Sequence, residues 1–305
     1  MIAVYYTSWS SPWTSDPKKM DLALIPLNYQ GVDCVNIAFA QPDSLYKGNS
    51  FDGTGLQFSQ DFSVVKESIR LLTTNGITVM LSVGGGAYWS TSKNFNTQNL
   101  ILLANDLGCT GIDLDWEVGA NFAYELTAAI KALKTAGYQG KISFAGWSTG
   151  AFGSEPGSTY QGMNINAMVE QGSNVDWINI MTYDAGPTFD PIGSLACYRV
   201  YYKGPLNIGF EVGTQGWGGY LLTYDDVTRM AEYAKRDSDL NGAFIWSLLK
   251  QGRPSVSEIV ATCKNIFVKP KTPPPPVVQP EAPPQYKFEC PVCKSDYNVS
   301  YILQK

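Results

Sequence analysis

The sequence predicts an α/β protein, a (β/α)8 TIM barrel followed by a proline-rich linker and a short cysteine-containing tail. Three observations predict it. Short apolar runs alternate with helical patterns eight times before residue 268. That stretch is close to the about 250 residues such a barrel needs. One of the runs carries carboxylates at alternate positions and ends at Glu117, where a barrel strand meets the open, catalytic face. Alternation alone also suits an open, doubly wound sheet. Together with the motifs below it favours the barrel.

In chain order, the strand-like runs are residues 2–6, 32–40, 77–83, 111–115, 142–146, 175–182, 206–210 and 242–247. The helical patterns between and after them are 22–29, 62–74, 98–107, 122–136, 165–171, a weak one at 192–202, 224–235 and 255–267. The first run begins at the second residue, so the expectation is either that the chain is not exported through a secretory leader or that this sequence is a mature form. The stretch from residue 206 to 244 has no room for an added α+β module between the last two strands. A shallow, open groove is therefore expected. Beyond the barrel (1–268), residues 269–285 hold eight of the eighteen prolines and read as a stiff, extended linker. Residues 286–305 are too few to build a core of their own.

Composition narrows the chemistry. Charged residues make up 16% and the net charge is −5, without the basic stripe that nucleic acid requires. No apolar run is long enough to predict a membrane span. There is no histidine, which removes Ser-His-Asp and Cys-His nucleophiles and imidazole-bound catalytic zinc. A general acid or base must come from Asp, Glu, Tyr, Lys or Cys. Cys34, Cys109, Cys197 and Cys263 lie in or beside apolar segments and read as buried thiols. The eight tryptophans and eighteen tyrosines suit either a core or a cleft whose flat rings stack on sugars.

The fourth strand carries the chemistry. In Gly111-Ile-Asp-Leu-Asp-Trp-Glu117, successive side chains point to opposite faces. Ile112, Leu114 and Trp116 must face the helices, so Asp113, Asp115 and Glu117 point into the barrel, about 7 Å from each to the next. Inward carboxylates cost several kcal/mol each unless paired or hydrogen-bonded, so three in a row predict an acid/base site. A hard cation such as Mg²⁺ or Ca²⁺ is the alternative occupant.

This strand resembles the Asp-Gly-x-Asp-x-Asp-x-Glu signature of family 18 glycoside hydrolases, chitinase type, with Thr110 in place of its first Asp. Ser82-Val83-Gly84-Gly85 resembles the family's Ser-x-Gly-Gly, Met181-Thr182-Tyr183-Asp184 its Met-x-Tyr-Asp, Asn36–Ala40 its second strand, and Trp246 its sugar-stacking tryptophan. The resemblance implies a retaining hydrolase of β-1,4-linked N-acetylglucosamine polymers that uses the substrate's own acetamido oxygen as nucleophile, with no cofactor. It implies Glu117 as acid and base, and Asp115 as acceptor of the acetamido N–H. Tyr183 would orient the acetamido oxygen, and Asp113, supported by Ser82, would hold Asp115. Trp246 would form the floor and Asp184 would bond the sugar or Tyr183. Tyr6, Phe39, Gly85, Met181, Trp147 and Trp217 are expected to line the binding groove. Glu211 follows a strand end and reads first as an exposed loop carboxylate.

The partner expected is chitin or another N-acetylglucosamine-containing glycan, bound by a monomer. The same catalytic strand would serve an endo-β-N-acetylglucosaminidase acting on N-glycans. A non-catalytic lectin on the same fold usually lacks the acid, which is present here. In the tail, Cys290-Pro-Val-Cys293 resembles one knuckle of a zinc ribbon, half of a four-ligand site.

Overall fold

The structure, a computed structural model, describes residues 1–268 except 89–93, 118–121, 155–159, 217, 218 and 220, together with 287–289 and 296–298. Its strands are β1 (Ile2–Thr7), β2 (Cys34–Ala40), β3 (Thr78–Gly84), β4 (Gly111–Asp115), β5 (Lys141–Gly146), β6 (Trp177–Ile180), β7 (Leu206–Glu211) and β8 (Gly242–Trp246). All pair in parallel in chain order, and β8 closes on β1 through Ile2↔Ala243, Ala3↔Phe244 and Val4↔Ile245. Around them run α1 (Ile25–Asn28), α2 (Phe62–Thr74), α3 (Thr97–Leu107), α4 (Phe122–Thr135), α5 (Ile165–Gln171), α6 (Pro191–Tyr201), α7 (Tyr224–Asp237) and α8 (Val256–Phe267). This is the (β/α)8 barrel that the sequence predicts, and residues 212–223 join β7 to α7 without an inserted module. In the tail, β9 (Lys287–Glu289) and β10 (Asp296–Asn298) pair antiparallel. Cys290 and Cys293 lie outside the described residues.

The first helix is shorter than its pattern. Only one α-turn forms, preceded by tighter turns such as Ile25 N–H to Leu22 O and Leu27 N–H to Leu24 O. Pro26 at the start of that turn removes a donor that a longer helix would need. By contrast α7 and α8 each begin with a complete capping box, Thr223 with Asp226 and Ser255 with Glu258.

Strand alternation sorts the apolar residues into two cores. Ile2, Val4 and Tyr6 of β1, and Ile112, Leu114 and Trp116 at β4, pack outward against the helices. Ala3 and Tyr5, with Cys34, Ala38, Phe39, Met80, Ala145, Trp177, Met181, Tyr183 and Phe244, fill the barrel itself. Cys34 and Cys263 are buried free thiols, whereas Cys109 and Cys197 are partly exposed.

A buried cation ties the last quarter of the barrel together. Arg199 on α6 donates from Nε to Asp237 Oδ2 at 2.9 Å and from Nη2 to Asn241 Oδ1 at 2.7 Å. Its Nη1 donates to the carbonyls of Tyr202 and Gly204. Removing one partner of such a pair strands the other charge away from water. Arg199→Ala is therefore expected to cost about 3–5 kcal/mol, measured by chemical denaturation. A loss below about 1 kcal/mol, the worth of a surface pair, would show that water already solvates this group.

Candidate active site

The site is built around Asp113, which is fully buried inside the barrel. In the sheet register Ser82 on β3 and Ser143 on β5 stand level with it on either side. Ser82 Oγ donates to Asp113 Oδ2 at 2.7 Å, Ser143 Oγ to Oδ1 at 2.6 Å, and Tyr5 OH from β1 to Oδ2 at 2.8 Å. Burial pushes this carboxyl above its ordinary range, and the three hydroxyl donors pull it part of the way back. The Tyr5 hydroxyl in turn accepts from Asn179 Nδ2 at 3.3 Å, and Asn179 Oδ1 accepts from Asn207 at 2.9 Å. A polar chain thus crosses the barrel from β4 to β7.

Asp115 and Glu117 sit above this layer and share a hydrogen bond. Both carboxyls are raised above the ordinary range by burial, and Asp115 is raised further by the neighbouring charges of Glu117 and Asp113. Glu117 Oε1 also accepts from the backbone N–H of Gly86 at 2.9 Å. Asp115 Oδ1 is buried and, among the described residues, has no hydrogen-bond partner.

The turn after β3 must come close for this to work. Gly85 N–H donates to Asp115 O at 2.8 Å. Gly84 has φ +114°, and a Cβ there would stand 2.1 Å from Asp115 O. Gly85 has φ +76°, and its Cβ would meet the Phe39 ring at 2.6 Å. Both positions need glycine for conformation and for space.

The floor is aromatic. Trp246 ends β8, and its ring stacks on Phe39 at 5.7 Å with 22° between planes. Tyr5 meets its edge at 5.7 Å, and the exposed Trp9 lies 6.4 Å away. Tyr183 and Met181, from the end of β6, face the same chamber. Asp184 follows with φ +53°, and its N–H donates to Gln215 Oε1 at 2.8 Å. Trp147, half-buried after β5, stacks on Tyr160 at 4.7 Å. Trp217 lies outside the described residues.

The structure thus gathers Asp113, Asp115, Glu117, Tyr183, Met181, Asp184, Phe39, Gly85, Ser82 and Trp246 at the C-terminal end of the strands. Tyr6 is a correction. It is wholly buried on the helix side, where its hydroxyl donates to Ser11 Oγ at 2.8 Å. Alternation along β1 sends Tyr5 inward instead. Glu211 is a second correction, because it is the last residue of β7, 3% exposed and paired with Lys250. Ser143, Tyr5, Lys250 and the Gly86 N–H were not singled out from the sequence for these roles. Ser143 was legible as a lone hydroxyl in an apolar strand, whereas the others depend on register and loop path. Among the described residues no cluster of His, Cys, Asp or Glu could hold a metal ion.

Two outcomes follow from this geometry. Glu117→Gln is expected to lower turnover by at least about 10²-fold, the lower range for general acid–base catalysis, with glycan affinity retained. Steady-state kinetics and calorimetric binding check it, and near wild-type turnover would refute the role. The second concerns stability. A carboxyl whose pKa is raised by folding stays protonated in the folded chain after it has ionised in the unfolded one. Its contribution to stability is present at low pH and is lost as pH rises above the ordinary carboxylate range. Asp115→Asn should therefore melt above the wild type at about pH 8, with the gap closing near pH 4. Thermal denaturation at the two pH values checks it, and equal melting at both would contradict the buried-pair reading.

Solved structures share this barrel. A GH18 chitinase from Pseudoalteromonas aurantia is 23% identical with a TM-score of 0.62, over 81% of this chain and 93% of that one. A fungal endo-β-N-acetylglucosaminidase is 14% identical with a TM-score of 0.63, over 88% and 96%. A xylanase-α-amylase inhibitor protein, solved with trehalose, is 16% identical with a TM-score of 0.57, over 88% and 98%. At such identities the likeness is one of fold, and the three proteins differ in what they do. Family membership comes from the sequence itself. The model of the glycosyl hydrolases family 18 matches residues 1–199, a span that takes in the acid strand, the glycine turn after β3 and the end of β6. The chain belongs to the glycosyl hydrolases of family 18 and is a glycoside hydrolase.

Proposed function

We propose that this hydrolase cleaves β-1,4-linked N-acetylglucosamine polymers, chitin and its oligomers, from within the chain and with retention of configuration. The observation that carries the reading is Asp115 Oδ1, a buried acceptor with no partner among the described residues, beside the Glu117 carboxyl that burial pushes above its ordinary range. Such an atom suits an N–H, and the 2-acetamido group of the sugar supplies one. The Glu117 carboxyl, which burial keeps inclined to hold its proton, passes it to the glycosidic oxygen as the C1–O bond breaks. The acetamido oxygen closes on C1 from the opposite face and forms an oxazolinium ion. Asp115 accepts the acetamido N–H and balances the positive charge, while the Tyr183 hydroxyl donates to the acetamido oxygen and aims it. Glu117, now a carboxylate, takes a proton from the water that opens the ring at C1. Asp113 and its hydroxyls keep Asp115 facing upward throughout.

The fourth strand offers no better nucleophile. Asp115 lies two residues before Glu117 on one strand, on the acid's side of the sugar, and a displacing carboxylate would have to approach from the other. The connection between β7 and α7 is too short to hold an added module, which suits attack at internal bonds. Cleavage of the chitobiose core of an N-glycan would use the same groups, and the fold shared with the fungal endo-β-N-acetylglucosaminidase keeps that reading second.

Proton NMR of fresh products tests both the substrate and the route. Chitin oligomers should release the β anomer first, and cello-oligomers, which lack the acetamido group, should not be cut. Initial α anomer, or comparable cleavage of the cello series, would overturn the scheme. Cleavage of a high-mannose glycopeptide with chitin oligomers left intact would transfer the assignment to N-glycans.

A further inference from the structure

Met181 and Tyr183 face the chamber at the point where the chain leaves the sheet. The register of β6 with β7 ends at Ile180↔Ile208. Thr182 N–H then turns back to Ile180 O at 2.8 Å, a bond across two residues that closes a tight turn. The Thr182 main-chain donor is thereby used within its own segment, and its side chain takes over the pairing with β7. Thr182 Oγ1 donates to Gly209 O at 2.7 Å and accepts from Gly209 N–H at 2.9 Å. One buried hydroxyl, donor and acceptor at once, satisfies both backbone groups of one β7 residue.

Gly209 makes this approach possible. It stands in register with Phe244 on β8, and a Cβ there would lie 2.6 Å from Ile180 O and 2.7 Å from the Phe244 ring. The bare α-carbon leaves room for Phe244, whose ring lies 6.0 Å from that of Tyr183 and 5.6 Å from that of Tyr5. A second tie lies one residue beyond Tyr183. Asp184 N–H donates to Gln215 Oε1 at 2.8 Å, with Asp184 held at φ +53°, a left-handed conformation that is unfavourable outside glycine and needs support. Gln215 is buried, and a Cβ on Gly219 would stand 1.5 Å from its Oε1, so the loop after β7 closes over the bond. Tyr183 is thus tied to β7 or its following loop on both sides, and its ring is backed by Phe244.

We propose that Thr182 and Gln215 are positioning residues, a two-point clamp that holds residues 181–184 against β7 and the loop after it and so sets the direction of the Tyr183 hydroxyl. This rests on the reading that the hydroxyl donates to the acetamido oxygen. Both side chains are buried and act through Tyr183. Releasing either end lets the phenol swing, and the acetamido oxygen then meets C1 less often in line. The loss falls on the chemical step, because alignment of the attacking atom is what the clamp supplies.

The test uses the full-length protein and chitin oligomers. Thr182→Val and Gln215→Met keep the size of the side chain and remove the hydrogen bond. Each should lower kcat at least about tenfold while KM changes less than about threefold, the pattern of an interaction that matters in the transition state. Thr182→Ser keeps the hydroxyl and should recover most of the loss. In a Tyr183→Phe background, neither substitution should lower kcat further, because the hydroxyl they aim is gone. Additive losses in that background, or unchanged kcat in Gln215→Met, would overturn the proposal. Gln215 lies in a loop, so its variants decide the matter if Thr182→Val does not fold. A second arm needs no substrate. Amide hydrogen exchange read by NMR should speed up at Asp184 in Gln215→Met and at Gly209 in Thr182→Val, with protection at Asp184 kept in Gln215→Glu, which retains an acceptor. Unchanged protection would show that the clamp does not exist, whatever the kinetics. Wild-type turnover in Tyr183→Phe alone would instead count against the role read for that hydroxyl, and the exchange arm would still decide whether the segment is clamped.

Discussion

Everything in the cleft rests on keeping a carboxylate inside a closed barrel. Asp113 is fully buried. Its acceptor capacity is met by hydroxyls from β1, β3 and β5, three strands with helices or loops between them in the sequence. Each donor is useful only in one register, since a slip of one residue would turn it to the helix side. The buried charge is therefore costly to the fold and also selects it. Once Asp113 is placed, alternation puts Asp115 and Glu117 above it on the same face, and the glycine turn after β3 has only one path past them.

The strand and helix order was legible because apolar runs and helical spacing are properties of neighbouring residues. The acid strand was legible for the same reason, since the period of two fixes which side chains share a face. The two tyrosines of β1 were not separable. Tyr5 and Tyr6 are both aromatic and both buried, and parity alone decides which one enters the barrel. That parity comes from pairing with β2 and β8, partners about thirty and two hundred and forty residues away. Glu211 was misread for a related reason. A glutamate after an apolar run looks solvated until the lysine thirty-nine residues later folds onto it. Ser143 was readable in principle, as a hydroxyl facing the acid strand in an otherwise apolar β5.

The aromatic residues serve two separate cores. Tyr6 packs with Phe58 in the helix layer, whereas Tyr5, Phe39, Phe244 and Trp246 form a continuous set of rings inside the barrel. Phe39 is held on one side by the close approach of Gly85 and on the other by Trp246. This set of rings is thus packed as firmly as a core. The acid pair stands against this surface, where apolar neighbours exclude water and raise the proton affinity of both carboxyls.

The closure of β8 on β1 has a consequence for when the protein becomes active. The first strand leaves the ribosome with Tyr5 already in place, but the Trp246 ring that its edge meets is made two hundred and forty-one residues later. Until β8 is inserted, the barrel has an open seam along β1, and the Trp246 ring is missing from the set that holds Tyr5 and Phe39. A chain arrested between β7 and β8 therefore carries every carboxyl of the fourth strand and still lacks a closed barrel. The closed cylinder and the complete set of rings arrive together, with the strand that seals the barrel.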